Sequence, residues 1–181
     1  TITPDGPERE LFWATVGGMG LTGVIVRATV QLHRTESAYF VVDTDRTADL
    51  DELMGLLTDG SDDTYGYSAA WFDTTTTGAQ LGRAVLTRGS LATVDQLPPK
   101  LQRGAIQNIT AFYQVLDLFG DWNRVYGSRG FLQYQFLVPF GEEATFRRIV
   151  EKIADSPHAS GLNVLKRFGK GNQAPLSFPQ P

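Results

Sequence analysis

A glycine-rich segment near the start of the sequence could bring backbone close to a phosphate-bearing ligand. Residues 17–23 contain four glycines, and glycine allows positive φ angles and close approach to a ligand. The N–H groups of such a loop can donate hydrogen bonds to phosphate oxygens. The same composition suits a tight connection between a helix and a strand, and spacing alone leaves both interpretations open. The segment is not a dinucleotide fingerprint of the usual kind, because it follows a predicted helix and precedes a predicted strand.

Two pairs of side chains in predicted strands could line a pocket. Gln133 and Gln135 alternate along residues 131–138 and share one strand face with apolar neighbours. These amides either face solvent or bind the hydroxyl groups of a sugar. Lys166 and Phe168 share a face of the last predicted strand. The lysine either reaches along the surface into solvent or points into the pocket as a cation that pairs with phosphate.

Composition excludes several kinds of chemistry. The sequence has no cysteine, which excludes thiolate catalysis, disulfides and cysteine-ligated zinc within these residues. Its two histidines, His33 and His158, have no second ligand at metal-binding spacing, so no metal site is expected. The formal net charge of −4 argues against a nucleic-acid binder with a broad basic face. No stretch approaches the roughly 20 apolar residues of a membrane span.

The spacing of apolar residues predicts an α+β fold. Helices are predicted at residues 8–14, from Asp49 to about Asp59, and at residues 142–155. The second helix has a capping-box-like start, since Glu52 follows Asp49 by three positions. Strands are predicted at residues 24–32, 38–43, 65–73, 84–87, 131–138 and 162–168. This order favours a largely antiparallel sheet with helices on one face.

The glycine-rich segment and its flanks resemble a known family. Residues 10–14, 17–20 and 22–25 closely resemble a segment near the end of the FAD-binding domain in the vanillyl-alcohol-oxidase family of FAD-dependent oxidoreductases. In that family, this loop and the strand after it lie beside the bound FAD. The resemblance implies backbone contact with the cofactor. The implied FAD contacts are Ile25, with Gly20, Thr22 and Gly23 as further candidates.

Four more motifs resemble one member of this family that acts on a lipid-linked sugar. They lie at residues 67–73, 88–91, 130–136 and 171–179, so the resemblance covers nearly the whole chain. It implies oxidation of the 2-hydroxyl of decaprenylphosphoryl-β-D-ribose to a ketone, the first half of an epimerisation that supplies arabinose for cell-wall arabinan. The implied substrate-pocket residues are Trp71, Tyr113, Gln133, Gln135, Leu162, Lys166 and Phe168. Ala69 stands where that member has a serine, which implies an altered pocket wall.

The resemblance also implies partners. The substrate is expected to be a polyprenyl-phosphate sugar, and a separate NADH-dependent reductase subunit is expected to reduce the 2-keto product. The lipid implies work at the membrane surface of the cell envelope. Two alternatives remain open: another FAD-dependent sugar or aldonolactone oxidase of the same family, and a domain that kept the fold but lost the cofactor.

The resemblance divides the chain into two parts. Residues 1–32 are expected to be the C-terminal part of an FAD-binding domain, and residues 33–181 a substrate-binding domain. A loop is expected to be missing between residues 102 and 103, where the pattern is poor, and the chain is expected to be incomplete at both ends. No general base is assigned, because the family's catalytic positions are expected outside this chain. We therefore expect these 181 residues alone not to bind FAD.

Overall fold

The computed structural model describes residues 1–102, 120–121, 124 and 127–179. In chain order, the helices and strands are α1 (Arg9–Thr15), β1 (Phe40–Thr47), α2 (Leu50–Thr58), β2 (Tyr67–Phe72), β3 (Ala84–Leu91), α3 (Pro99–Gln102), α4 (Glu143–Ala154) and β4 (Asn163–Leu165). Short 3₁₀ turns lie at Ser61–Thr64, Gly78–Gln80 and Val94–Gln96. The predicted α+β class is confirmed.

The four strands form one antiparallel sheet in the order β1-β3-β2-β4. Strand β3 pairs with β1 along its whole length, and with β2 on its other side. The loop between β2 and β3 passes close to the start of α2. There Gly82 has a φ of +70°, and a Cβ atom built on it would lie 2.8 Å from the Cβ of Leu50. Glycine is therefore required at this turn for both its conformation and its size.

One side of the sheet, which we call the first face, is covered by α2 and α4. The buried side chains between them are Leu50, Leu53 and Leu57 of α2, Phe146 and Val150 of α4, and Ala70, Phe72, Ala84 and Leu86 of the sheet. The rings of Phe72 and Phe146 meet edge to face, with centroids 6.3 Å apart. Arg147 of α4 forms an ion pair with Asp51 of α2. The helices on one face agree with the arrangement expected from the sequence.

Helix α2 begins and ends where its sequence predicts. The side chain of Asp49 accepts a hydrogen bond from the backbone N–H of Glu52 at 2.9 Å. The carboxylate of Glu52 accepts one in return from the backbone N–H of Ala48 at 2.6 Å. After Thr58 the chain turns at Gly60, which has a φ of +90°. Local capping thus fixes both ends of this helix.

Two predicted strands are wrong for the described structure. Residues 24–32 and 131–138 form no strand. Their apolar side chains are largely exposed; Val26 is 94% exposed and Leu132 is 100% exposed. Alternation of apolar residues predicts a strand only where a neighbouring strand supplies hydrogen bonds, and the sequence pattern does not reveal whether that neighbour is present. The last predicted strand is also shorter than expected, because β4 ends at Leu165.

The chain divides into two compact units. Unit 1 comprises residues 1–33, 136–142 and 168–181, and unit 2 comprises residues 34–135 and 143–167. The sheet, α2 and α4 belong to unit 2, whereas α1 and the glycine-rich segment belong to unit 1. The predicted assignment of residues 1–32 and 33–181 to cofactor and substrate domains stays a prediction.

Within the described ranges, no helix has the length and apolarity needed to cross a membrane. The described residues also contain no cluster of three or more histidine, aspartate or glutamate side chains that could hold a metal ion.

Candidate functional site

The side of the sheet opposite α2 and α4, which we call the second face, carries three of the seven implied pocket residues. Trp71 of β2 lies opposite Val164 of β4 in the antiparallel register. Because side chains alternate along a strand, Leu162 and Lys166 lie on the same side as Val164. Trp71 and Leu162 are half-buried, and Lys166 is exposed. Three of the implied pocket residues are thus brought together on one surface of unit 2.

The second face carries no carboxylate within its four strands. Its strand residues are Phe40, Val42, Thr44, Arg46, Tyr67, Ala69, Trp71, Val85, Thr87, Gly89, Leu91 and Val164. The strand carboxylates Asp43 and Asp45 both point to the first face, opposite Arg88 and Leu86. In a chain of net charge −4, this surface is therefore suited to an anionic ligand.

Neighbouring cations at the end of β4 have different surroundings. Arg167, on the first face, forms ion pairs with Asp63 at 2.5 Å and with Asp62 at 3.6 Å. The hydrogen bond to Asp63 raises the pKa of Arg167 above its ordinary value. Lys166, on the second face, has no ion-pair partner in the described part of the chain. Its ammonium group is therefore available to a ligand.

A hydrogen-bonded cluster holds β4 beside β2. Thr74 is fully buried; its hydroxyl donates to the carbonyl of Ser160 at 2.8 Å and accepts from the backbone N–H of Ser160 at 3.0 Å. The amide of Asn163 donates to the carbonyls of Phe72 at 3.1 Å and Ser160 at 2.8 Å. These contacts fix the edge of the sheet from which Leu162 and Lys166 project.

Asp73, just beyond β2, is held in a turn that closes the hairpin. Its carboxylate accepts hydrogen bonds from Thr75 and Thr76 and forms an ion pair with Arg83 at 3.1 Å. Burial of the carboxyl group opposes ionisation, but the hydrogen bonds from Thr75, Thr76 and Arg83 outweigh it and hold the pKa of Asp73 below its ordinary value of 3.8.

Acidification should weaken this turn. Because the pKa of Asp73 is lower in the folded state, its stabilising effect is fully present above about pH 4 and is lost as pH falls through the folded pKa. We expect Asp73→Asn to lower the free energy of unfolding by about 1–2 kcal/mol at pH 7, and by clearly less at pH 3. Urea unfolding at both pH values measures the difference; an equal loss at both would contradict the role of the ionised carboxylate.

Arg88 organises the far end of the first face. It is 7% exposed and forms an ion pair with Asp45 at 2.6 Å and a hydrogen bond with the hydroxyl of Ser61 at 3.0 Å. Its guanidinium lies 4.7 Å from the centroid of the Tyr65 ring. The Tyr65 hydroxyl donates to Asp43 at 2.7 Å, and this bond raises the pKa of the phenol. The network thus pairs both strand carboxylates on the first face.

The glycine-rich segment in unit 1 has the backbone conformation that its composition predicts. Gly17, Gly20 and Gly23 have φ angles of +73°, +76° and +136°. A Cβ atom at Gly20 or Gly23 would meet nothing within 4 Å, so backbone there is open to a ligand. Ile25 is 65% exposed, and the Thr22 hydroxyl donates to that of Thr15 at 3.1 Å. The loop therefore leaves both backbone and the Ile25 side chain exposed to solvent.

Two of the motifs that resemble the flavoprotein family lie against each other in unit 1. The Arg9 guanidinium donates to the side-chain carbonyl of Gln173 at 2.5 Å. A Cβ atom on Gly17 would lie 3.5 Å from the carbonyl oxygen of Leu176. The indole N–H of Trp13 is buried and has no hydrogen-bond partner among the described residues. The segment at residues 172–178 thus supports the glycine-rich loop.

The remaining implied pocket residues that the structure describes, Gln133, Gln135 and Phe168, lie outside the four strands. Gln133 and Gln135 are exposed and lie within residues 131–138, outside the four strands. Phe168 belongs to unit 1, where its ring lies 5.4 Å from that of Phe178. Tyr113 lies outside the described residues. The sequence also missed Thr87, which lies opposite Ala69 on the second face. Only the register of β3 could have identified it, because nothing in the local pattern indicates which way a threonine points.

Comparison with known proteins supports the resemblance. No family model matches the chain. The chain is 47% identical over 222 residues to decaprenylphosphoryl-beta-D-ribose oxidase of Mycolicibacterium smegmatis, covering 99% of this chain and 48% of that protein. It is also 30% identical over 219 residues to an uncharacterized protein in the mprA 5' region of Streptomyces coelicolor, covering 93% of this chain and 59% of that protein. The chain thus spans about half the length of the curated relatives it matches. Over nearly its entire length, the chain is similar to decaprenylphosphoryl-beta-D-ribose oxidase.

Proposed function

We propose that this chain is the substrate-binding and flavin-flanking part of an FAD-dependent oxidase that converts the 2-hydroxyl of decaprenylphosphoryl-β-D-ribose to a ketone. The observation that carries the proposal is the second face, on which Trp71, Leu162 and Lys166 meet without a strand carboxylate. The 47% identity to an oxidase named for this substrate supports the same assignment.

Lys166 is the proposed anchor of the substrate's phosphoryl group. An ammonium group without an ion-pair partner, next to a surface free of strand carboxylates, favours a phosphodiester over a neutral ligand. The ring of Trp71 offers an apolar surface beside the cation, against which the sugar can lie. The geometry therefore favours a phosphorylated sugar over a neutral aldonolactone, the runner-up substrate class.

Gly20, Thr22, Gly23 and Ile25 are the proposed contacts with FAD. When bound, FAD supplies the acceptor for the hydride that leaves C2 of the sugar. The open backbone at Gly20 and Gly23 can approach the cofactor, and exposed Ile25 can lie beside it. None of these residues moves a proton, so the base that takes the hydroxyl proton is proposed to lie outside this chain.

The substrate chemistry implies the partners. A 2-keto sugar must be reduced to complete an epimerisation, and we propose a separate NADH-dependent reductase for that step. Since the sugar is carried on a polyprenyl chain, we propose that the enzyme works at a membrane surface of the cell envelope. Gln133, Gln135, Phe168 and Tyr113 remain proposed pocket residues.

The decisive experiment uses the full-length protein. We expect the purified protein to show the visible absorbance of an oxidised flavin, and to lose it when a short-chain polyprenylphosphoryl-β-D-ribose is added without an electron acceptor. An aldonolactone should leave the spectrum unchanged. Bleaching by the lactone alone would favour the other oxidase class, and a colourless protein would favour a domain that has lost its cofactor.

A further inference from the structure

Ala69 lies at the centre of the second face and is surrounded by four longer side chains. Thr87 lies opposite it on β3, and the register between β2 and β4 places Lys166 on its other side, one position beyond the Ala70↔Leu165 pair. Tyr67 and Trp71 precede and follow it along β2 on the same face. The methyl group of Ala69 is therefore shorter than all four of these neighbouring side chains. We call the space over this methyl group the Ala69 hollow.

The dimensions of the Ala69 hollow follow from sheet geometry. Neighbouring strands lie roughly 4.8 Å apart, so the backbones of Thr87 and Lys166 are roughly 10 Å apart across Ala69. Tyr67 and Trp71 are four positions apart along the strand, which corresponds to roughly 13 Å. Thr87 and Lys166 thus flank Ala69 on its two sides, across a width that a furanose ring and its phosphoryl group can fill.

The hydroxyl group of Thr87 has no partner among the residues that the structure describes. Thr87 is half-buried and makes no side-chain hydrogen bond within the described ranges. Thr74, by contrast, is fully buried and bonded through both its donor and its acceptor. A half-buried hydroxyl loses solvation unless a partner replaces it, and a sugar hydroxyl can both donate to it and accept from it.

We propose that Thr87 is a specificity-determining substrate contact, which binds a ribose hydroxyl over Ala69 while Lys166 binds the phosphoryl group. This inference rests on the proposed function and extends it to the orientation of the sugar. It assigns the two ends of the substrate headgroup to opposite sides of the Ala69 hollow. The small side chain at position 69 is then what leaves room for the ring between them.

The test is Thr87→Val in the full-length protein, measured with two ligands. Valine keeps the shape and strand propensity of threonine but has no hydroxyl. We expect the Kd for farnesylphosphoryl-β-D-ribose to rise about five- to tenfold, as for one lost hydrogen bond. The Kd for farnesyl phosphate, which has no sugar, should not change. Thr87→Ser keeps the hydroxyl and should restore most of the affinity for the ribosyl ligand.

Thr44→Val is the matched control, since Thr44 is an exposed threonine of β1 in the same row, separated from Ala69 by β3. It should leave both Kd values unchanged. If Thr87→Val leaves the Kd for the ribosyl ligand unchanged, or raises both Kd values equally, the proposed role of Thr87 is overturned. The proposed function is not contradicted by that result. If the wild-type protein binds neither ligand, or binds the ribosyl ligand no better than farnesyl phosphate, the proposed function fails with it.

Discussion

Replacing Lys166 by methionine is expected to raise the KM for a polyprenylphosphoryl ribose by about 10- to 100-fold, as for a lost charge-assisted hydrogen bond. Methionine keeps much of the length of the side chain and removes its charge. Because Lys166 has no ion-pair partner in the described structure, the substitution should break no internal contact. The kcat should fall less than kcat/KM, since the proposed contact is with the phosphoryl group rather than with the reacting carbon.

The matched control is Lys152→Met, which removes an exposed lysine from α4, on the other side of the sheet. It should leave KM unchanged. Because both variants lose one positive charge, the comparison separates the loss of a local contact from the effect of the change in net charge. Raising the ionic strength should increase the KM of the wild-type enzyme more than that of Lys166→Met. Equal KM values for wild type and Lys166→Met would rule out Lys166 as the phosphoryl anchor.

Leu86→Ala should lower the free energy of unfolding by about 3–4 kcal/mol. Leu86 lies in the central strand, is 0% exposed, and packs on the first face under α2 and α4. Its truncation leaves a cavity that neighbouring strands cannot close, because β3 is hydrogen-bonded on both sides. Urea unfolding gives the change from the shift in midpoint at constant slope.

Val85→Ala is the control for this substitution, since Val85 is the adjacent residue of β3 and points to the second face. It should cost less than about 1 kcal/mol, because part of its side chain already contacts solvent. If Val85→Ala lowered the free energy of unfolding more than Leu86→Ala does, β3 would present the opposite set of side chains to the helices. The pair therefore also tests the register that defines the second face.

The sequence predicts best what local interactions determine. Asp49, Glu52 and Gly60 predict where helix α2 begins and ends, because each acts on backbone only a few residues away. The predictions of strands at residues 24–32 and 131–138 are wrong. A strand depends on a partner that can be distant in sequence, and the alternation of apolar residues does not supply that partner.

The candidate site was only partly accessible to sequence reasoning. Trp71 and Lys166 could be nominated, but their placement on one surface depends on the pairing of β2 with β4. Phe168 was expected to share a strand with Lys166, yet β4 ends at Leu165 and Phe168 lies in the other unit. The absence of strand carboxylates on the second face could not be foreseen, because the side to which Asp43 and Asp45 point depends on long-range register.

The strand order has a consequence for the sequence of folding events. Strands β2 and β3 form a local hairpin, whereas β4 joins β2 through contacts such as that between Asn163 and Phe72, which are 91 positions apart. We expect such long-range contacts to form late, because a long loop must close before they can stabilise the sheet. Lys166 thus reaches its place only when the last strand docks. A ligand held by Lys166 should therefore bind only the completely folded sheet. By mass action, it should protect the β4 edge from local opening. Slower hydrogen exchange at the backbone N–H of Val164 would measure this protection.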